Sequence, residues 1–288
     1  MTAPPADSRA VRAALKGHEP SSEQWEAIAH PLVPAFLIAG AGAGKTAVMA
    51  ARIVWAVEER GYAPSQILGL TFTNKAAQEL EERVRTALSH LPQTRPNDIT
   101  VSTYNAFAAS MVRDHGLLAG IEPESGLLTE AQQWQLVLSC LDDLPAFQAL
   151  ELRSSAGIVR AALALASSIS DHLIGISDVE AAADRILAAR ERLGDEVVET
   201  AQKRKELCRV VDAYQKAKRR ASRIDFGDQV AKAVEILESH PEVAQSYREL
   251  YPVLLLDEYQ DTNVAQRRLI QSLVEPGGAV TAVGDARQ

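Results

Sequence analysis

The residues best suited to chemistry lie in the run Phe36–Leu37–Ile38–Ala39–Gly40–Ala41–Gly42–Ala43–Gly44–Lys45–Thr46. It reads as a buried strand, a glycine-rich loop and a helix that opens on Lys-Thr. That order suits a triphosphate. The amides of Ala41, Gly42, Ala43 and Gly44 would point at phosphate oxygens, and the helix N-terminus adds partial positive charge. Lys45 supplies a full charge, and the Thr46 hydroxyl can hold Mg²⁺. A strict G-x-x-x-x-G-K-[ST] pattern asks for glycine at position 39, where this chain has Ala39. The plainer alternative is a glycine-rich strand-to-helix turn with an incidental lysine. A second element counts against it. Val253–Leu254–Leu255–Leu256 is a short apolar run, typical of a strand buried on both faces, and it ends in Asp257–Glu258–Tyr259–Gln260–Asp261. Carboxylates just past the C-terminal end of a buried parallel strand sit where α/β sheets place their ligands. Asp257 would hold Mg²⁺ through its water shell, and Glu258 would orient and deprotonate the attacking water. A solvated acidic turn is the commoner fate of an Asp-Glu pair, but less so in a chain that also carries a phosphate loop. Together the two motifs imply a Mg²⁺-dependent ATPase.

Five short apolar or β-branched runs supply strands to position these groups: residues 35–39, 67–72, 99–103, 253–256 and 279–283. Helical patterns separate them, which is the signature of a doubly wound α/β domain with a parallel sheet. Between the third and fourth runs the chain is rich in Ala, Leu, Glu and Arg and nearly without strand character. Capping boxes at Thr129–Gln132 and Ser177–Glu180 punctuate it, and the Ala-rich stretch 156–170 reads as a packed helix. The expected organisation is a loose tail over 1–20, one α/β domain made of 21–109 and 224–288, and an all-α insertion over 110–223. With 288 residues, 47% hydrophobic and 24% charged, the chain can bury a substantial core. No uninterrupted apolar run is long enough to span a bilayer. Cys140 and Cys208 lie far apart, and the six histidines have no metal-type spacing. These features predict a reducing, cytoplasmic setting without zinc or iron–sulfur. A net charge of −8 argues weakly against nucleic acid. Basic residues do concentrate locally, at Lys203, Arg204, Lys205, Arg209, Lys216, Lys218, Arg219, Arg220 and Arg223. They are either the solvated face of a long helix or a phosphate-backbone contact surface.

Further segments line up in order with the two motifs: Ser21–Ser22–Glu23–Gln24–Trp25, Leu70–Thr71–Phe72–Thr73–Asn74–Lys75, Val101–Ser102–Thr103–Tyr104–Asn105, Ile224–Asp225–Phe226–Gly227–Asp228, and Val283–Gly284–Asp285–Ala286–Arg287–Gln288. The series resembles the superfamily 1 DNA helicases of the UvrD/Rep/PcrA type. The phrases Arg113–Asp114–His115–Gly116–Leu117–Leu118 and Asp225–Phe226–Gly227 resemble the helicase-bearing subunits of AdnAB-type helicase–nucleases. The resemblance implies a RecA-like motor domain that binds ATP and Mg²⁺, acts on single-stranded DNA in repair or recombination, and pairs with a helicase or nuclease partner subunit. It implies that Gln24 reads adenine, although Ser21-x-x-Gln24 is also a capping box. Thr71, Phe72, Thr73 and Asn74, with Thr103 and Tyr104, would touch single-stranded DNA. Phe72 and Tyr104 are the stacking candidates, Phe72 having the alternative of a core residue at a strand end. Gln288 takes the position that senses the γ-phosphate.

Relative to that family the chain departs at Asn105, where histidine is usual, and at Ala47, where arginine is frequent. It stops at Gln288, inside a motif, before the second motor domain and its arginine fingers. The expectation is therefore the first motor half of a 3′→5′ translocase or helicase that binds Mg-ATP weakly and hydrolyses it poorly alone. The alternative is a truncated nucleotide- or DNA-binding module that needs a partner chain. A small-molecule kinase fits the loop but neither the Asp257–Glu258 strand end nor the 70–77 segment.

Overall fold

The computed structural model describes residues 9–40, 42–92, 94–150 and 155–285. In chain order the elements are α1 (Arg9–Ala14), α2 (Ser22–Ala29), β1 (Ala35–Ile38), α3 (Lys45–Arg60), β2 (Ile67–Thr71), α4 (Asn74–Leu88), β3 (Thr100–Thr103), α5 (Tyr104–His115), β4 (Gly126–Leu127), α6 (Glu130–Asp142), α7 (Ser155–His172), α8 (Ile176–Ala188), α9 (Asp195–Arg220), β5 (Arg223–Ile224), α10 (Phe226–Ser239), α11 (Pro241–Leu250), β6 (Val253–Leu256), α12 (Val264–Leu273) and β7 (Ala279–Gly284). They form two compact units. One comprises the residues through Phe107, Leu237–Thr262 and those from Arg267 on; the other comprises Ala108–Ile236 and Asn263–Gln266. The helical unit thus starts near the expected residue 110 and runs past 223 to take in most of α10.

The first unit is built on a five-stranded sheet in the order β1-β7-β6-β2-β3. Every pairing is parallel, so the connections are helical crossovers, as the alternation of apolar runs and helical patterns requires. The register brings the C-terminal ends of the strands to one edge. Ile38 pairs with Gly284, Leu256 with Ala282, Leu70 with Leu256, and Thr71 with Thr103. The phosphate loop, the Asp257–Glu258 tip and the segments after β2 and β3 therefore leave the sheet on the same side. β6 and β2 are central and buried along their whole length, which is why Val253–Leu256 and Ile67–Leu70 read as continuous apolar runs.

Two expectations need correcting here. β1 is not a buried strand: Phe36 is 48% and Ile38 67% exposed. β1 lies at the edge of the sheet, with β7 as its one neighbour among the described residues, so its side chains alternate between core and solvent. Nor is the segment before residue 20 a loose tail throughout. From Arg9 it forms α1, and Ala10, Val11, Ala14 and Leu15 are buried against the core that also holds Met49, Ile53, Leu80 and Val84. Their i, i+1, i+4, i+5 spacing gives a single apolar helix face, and small alanines hid it in the composition.

The second unit packs α6, α7, α8 and α9 around Val137, Val159, Ala162, Val211 and Tyr214. The Ala-rich stretch is the packed helix α7. The Thr129 capping box forms, with the hydroxyl accepting from Gln132 N. The second box is displaced. Gly175 is the N-cap of α8, and its N–H is satisfied at 2.7 Å by Asp178 Oδ2 rather than by any group of Ser177. A short parallel pairing of β4 with β5 is an addition that no pattern announced. Five of the nine residues of the basic cluster engage partners inside this unit. Lys203 pairs with Glu199, Lys205 with Asp184 and Lys216 with Asp212. Arg209 donates to Pro145 O and lies over the Phe147 ring. Lys218 is buried, 2.6 Å from both Asp225 and Asp228.

Candidate functional site

The phosphate loop is shaped by its glycines. Gly42 has φ 78° and Gly44 φ 83°, left-handed values that residues with a Cβ adopt only under strain. Gly44 is the N-cap of α3, so the helix begins at Lys45 and its free amides face the loop. Ala43 N donates to Gly40 O at 3.2 Å and tightens the turn. Ala41 lies outside the described residues.

Across the loop, β6 delivers its two carboxylates. Lys45 Nζ stands 3.1 Å from Glu258 Oε2, joining residues 213 positions apart. Glu258 holds a left-handed backbone, φ 47°, rare for a non-glycine residue and typical of sites where geometry is over-determined. Its carboxyl is held below the usual value, first by the hydrogen bond from Gln260 Nε2 and then by Lys45, against an opposing effect of burial. Asp257 is 4% exposed. Burial first, and the neighbouring Glu258 charge second, push its carboxyl up. Among the described residues it accepts one hydrogen bond, from Glu258 N at 3.0 Å. A buried carboxylate so sparsely satisfied has lone pairs to offer a hard, oxygen-seeking cation such as Mg²⁺, and Thr46 at the start of α3 adds a hydroxyl to the candidate ligands.

Gln24 sits over the loop. Its Nε2 donates to Ala43 O at 3.2 Å while its Oε1 accepts from Ser21 N, so capping and loop contact coexist in one side chain. A cleft of about 660 Å³ opens here, lined by Gln24, His30, Leu37, Ala43, Lys45 and Val48 among others. Its size and mixed lining suit a nucleotide base and sugar.

The residues expected on a DNA track gather at the ends of β2 and β3, but not all reach the surface. Thr73 and Asn74 are exposed and Phe72 and Thr103 half-buried. Thr71 is buried, its hydroxyl donating to Thr73 O. Tyr104, expected to offer a face for stacking, is 1% exposed with its ring against Phe72, centroids 5.2 Å apart. The reason is its neighbour: Tyr104 starts α5 at the end of β3, next to the end of β2 from which Phe72 covers its ring. Its buried hydroxyl has no hydrogen-bond partner among the described residues. Gln288 lies outside them. Two residues escaped the sequence reading. Gln260 bridges Glu258 Oε2 and Asp285 N, and a Cβ on Gly284 would meet its Oε1 at 2.6 Å, so that glycine makes room for the bridge. Arg52 is the other. Its signal was a lone charge inside the apolar stretch Val48–Trp55.

A parallel α/β sheet with a glycine loop, a loop lysine and an acidic strand tip meeting at one edge defines a nucleoside-triphosphate-binding domain. Comparison with known proteins narrows the class. Residues 21–288 match the UvrD/REP helicase N-terminal domain, and the chain belongs to that family. It is 31% identical over 268 residues to the ATP-dependent DNA helicase PcrA of Leuconostoc citreum, covering 93% of this chain and 32% of the relative. It is 32% identical over 274 residues to the ATP-dependent DNA helicase UvrD1 of Mycobacterium bovis, covering 92% and 33%. It is 30% identical over 268 residues to DNA helicase II of Escherichia coli, covering 93% and 34%. The chain therefore spans about a third of the length of these relatives.

Proposed function

We propose that this chain is the ATP-binding first motor half of a UvrD-like, ATP-dependent 3′→5′ DNA helicase or translocase acting on single-stranded DNA in repair or recombination. The observation that carries the reading is the 3.1 Å approach of Lys45 Nζ to Glu258 Oε2, with Asp257 beside it. In this reading the amides of the loop and of the α3 start bind the triphosphate, and Lys45 turns from Glu258 to the β- and γ-phosphates. Thr46 and Asp257 hold Mg²⁺, which when bound neutralises charge on those phosphates. Glu258 accepts a proton from the attacking water, with Gln260 fixing its carboxylate. Gln24 hydrogen-bonds the adenine edge, and Gln288 senses the γ-phosphate. Thr73, Asn74, Phe72 and Thr103 form the accessible part of the DNA track; Thr71 and Tyr104 support it from beneath. Brisk turnover needs the remaining two-thirds of a relative-length protein, whether in the same polypeptide or in a partner subunit. A cytoplasmic setting accords with two unpaired, buried cysteines.

The test is equilibrium binding of Mg-ATP and of single-stranded DNA by the wild type and Lys45→Ala. Losing charge-assisted bonds to phosphate, about 1.5–3 kcal/mol, weakens ATP binding roughly 10- to 150-fold. DNA binding without nucleotide is expected to stay at the wild-type level. An unchanged ATP affinity refutes the site.

A further inference from the structure

Arg52 lies in the middle of α3, the helix that starts at the phosphate loop, and is 1% exposed. Its guanidinium hydrogen-bonds five oxygens, all neutral. Nη1 donates to Ala27 O at 3.0 Å, Ile28 O at 3.0 Å and His30 O at 2.8 Å, Nη2 donates to Pro31 O at 3.1 Å, and Nε donates to Thr281 Oγ1 at 2.9 Å. Four of these are main-chain carbonyls at and just beyond the end of α2. Helix C-termini leave carbonyls unsatisfied and carry partial negative charge, so a buried cation here both closes the α2 end and is stabilised by it. Burial and nearby Arg60 lower the Arg52 pKa to about 10, which leaves it charged at neutral pH.

The tethered segment is the one that bears Gln24. It lines the nucleotide cleft with Ser21, Gln24, Ala27 and His30. At its loop end a side-chain hydrogen bond joins it to the phosphate loop, the exposed Gln24–Ala43 contact. At its other end it is fixed by the buried fork of Arg52. We infer that Arg52 is the positioning residue that holds the Gln24 segment on the nucleotide cleft, making the base contact selective while contributing little to triphosphate binding. The inference rests on the nucleotide reading above. A lysine cannot replace the fork, because one ammonium with three hydrogens cannot reach five acceptors spread around a planar group.

The experiment measures Mg²⁺-dependent binding of ATP, GTP and inorganic tripolyphosphate by the full chain as wild type, Gln24→Ala, Arg52→Lys and Arg52→Met. It adds amide hydrogen exchange across residues 21–31. In both Arg52 variants tripolyphosphate affinity is expected to stay within about two-fold of wild type, while the ATP-over-GTP preference falls roughly ten-fold toward that of Gln24→Ala. Exchange in 21–31 is expected to rise. A folded Arg52→Lys that keeps the wild-type preference overturns the inference. So does an equal loss of ATP and tripolyphosphate affinity, which is what a merely structural role predicts. Should Arg52→Met fail to fold, Arg52→Lys decides alone. A wild type with no preference for ATP over GTP, or a Gln24→Ala chain that keeps it, overturns the base-reading assignment itself and is thereby told apart from failure of the Arg52 role.

Discussion

Glu258→Gln separates two roles that the same carboxylate plays. In the free protein Glu258 occupies Lys45, the cation a triphosphate needs. The pair is 3.1 Å apart, with side-chain exposures of 12% for Lys45 and 37% for Glu258. At an effective dielectric of ~20 the bare attraction at this distance is about 5 kcal/mol. With Glu258 open to water, most of that is offset by solvation, and exposed pairs of this kind retain roughly 0.2–1 kcal/mol. Displacing Glu258 therefore weakens Mg-ATP binding by a factor of roughly 1.4 to 5. Glutamine keeps an oxygen for Gln260 Nε2 but loses the charge, so Glu258→Gln is expected to bind Mg-ATP about 1.4- to 5-fold tighter at physiological salt, and tighter still at low salt. Titration calorimetry of wild type, Glu258→Gln, Lys45→Ala and the double variant isolates the coupling. Hydrolysis, measured on the same samples, is expected to fall by roughly 10²–10⁴ because the proton acceptor is gone. Weaker ATP binding by Glu258→Gln would show that the carboxylate holds the nucleotide rather than competes with it. Unchanged hydrolysis would remove it from the chemistry.

Two more outcomes follow from the buried charges. Asp257 has its carboxyl raised by burial and by Glu258, so the cation-free fold holds this proton more tightly than the unfolded chain does. The stability this contributes is fully present below the unfolded-state pKa and is lost as pH rises through the higher folded-state value. Mg²⁺ needs the ionised form, so Mg-ATP affinity is expected to fall as pH drops from 7 toward the raised value, and Asp257→Asn to bind weakly with a flat profile; titration across pH 5–8 checks this, and a wild-type profile as flat as the variant's refutes it. In the helical unit, burial pushes Asp225 up, but the Lys218 charge and hydrogen bonds outweigh it; Asp228 stays raised by burial, with Asp225 adding to the effect. Lys218→Met strands both carboxylates and is expected to cost about 3–5 kcal/mol in urea unfolding, with Asp228→Asn in the same chain recovering part of it; a loss under 1 kcal/mol would refute a tightly held triad.

What could be read from the residues alone was whatever the backbone itself demands. A glycine-rich loop leading into a helix that opens on Lys45–Thr46, and a four-residue apolar run ending in Asp257–Glu258 that makes a central parallel strand, are local patterns, and both elements are found. The errors share a different cause. Phe36 and Ile38 have the composition of a core strand, but only strand order decides whether β1 has one neighbour or two. Tyr104 has a face fit for stacking, but which way that face turns is set by Phe72 on the adjacent strand end. Arg52 and Gln260 were passed over for the same reason: their partners, Ala27 to Pro31 and Thr281 for one, Glu258 and Asp285 for the other, are brought near only by the crossover connections. Groups that would touch substrate were legible because their chemistry is stated by residue type. Groups that hold those side chains in place were not, because a positioning residue is defined by where its hydrogen bonds end. The fork of Arg52 and the bridge of Gln260 are accordingly where substitutions should alter selectivity and proton transfer without touching the phosphate loop at all.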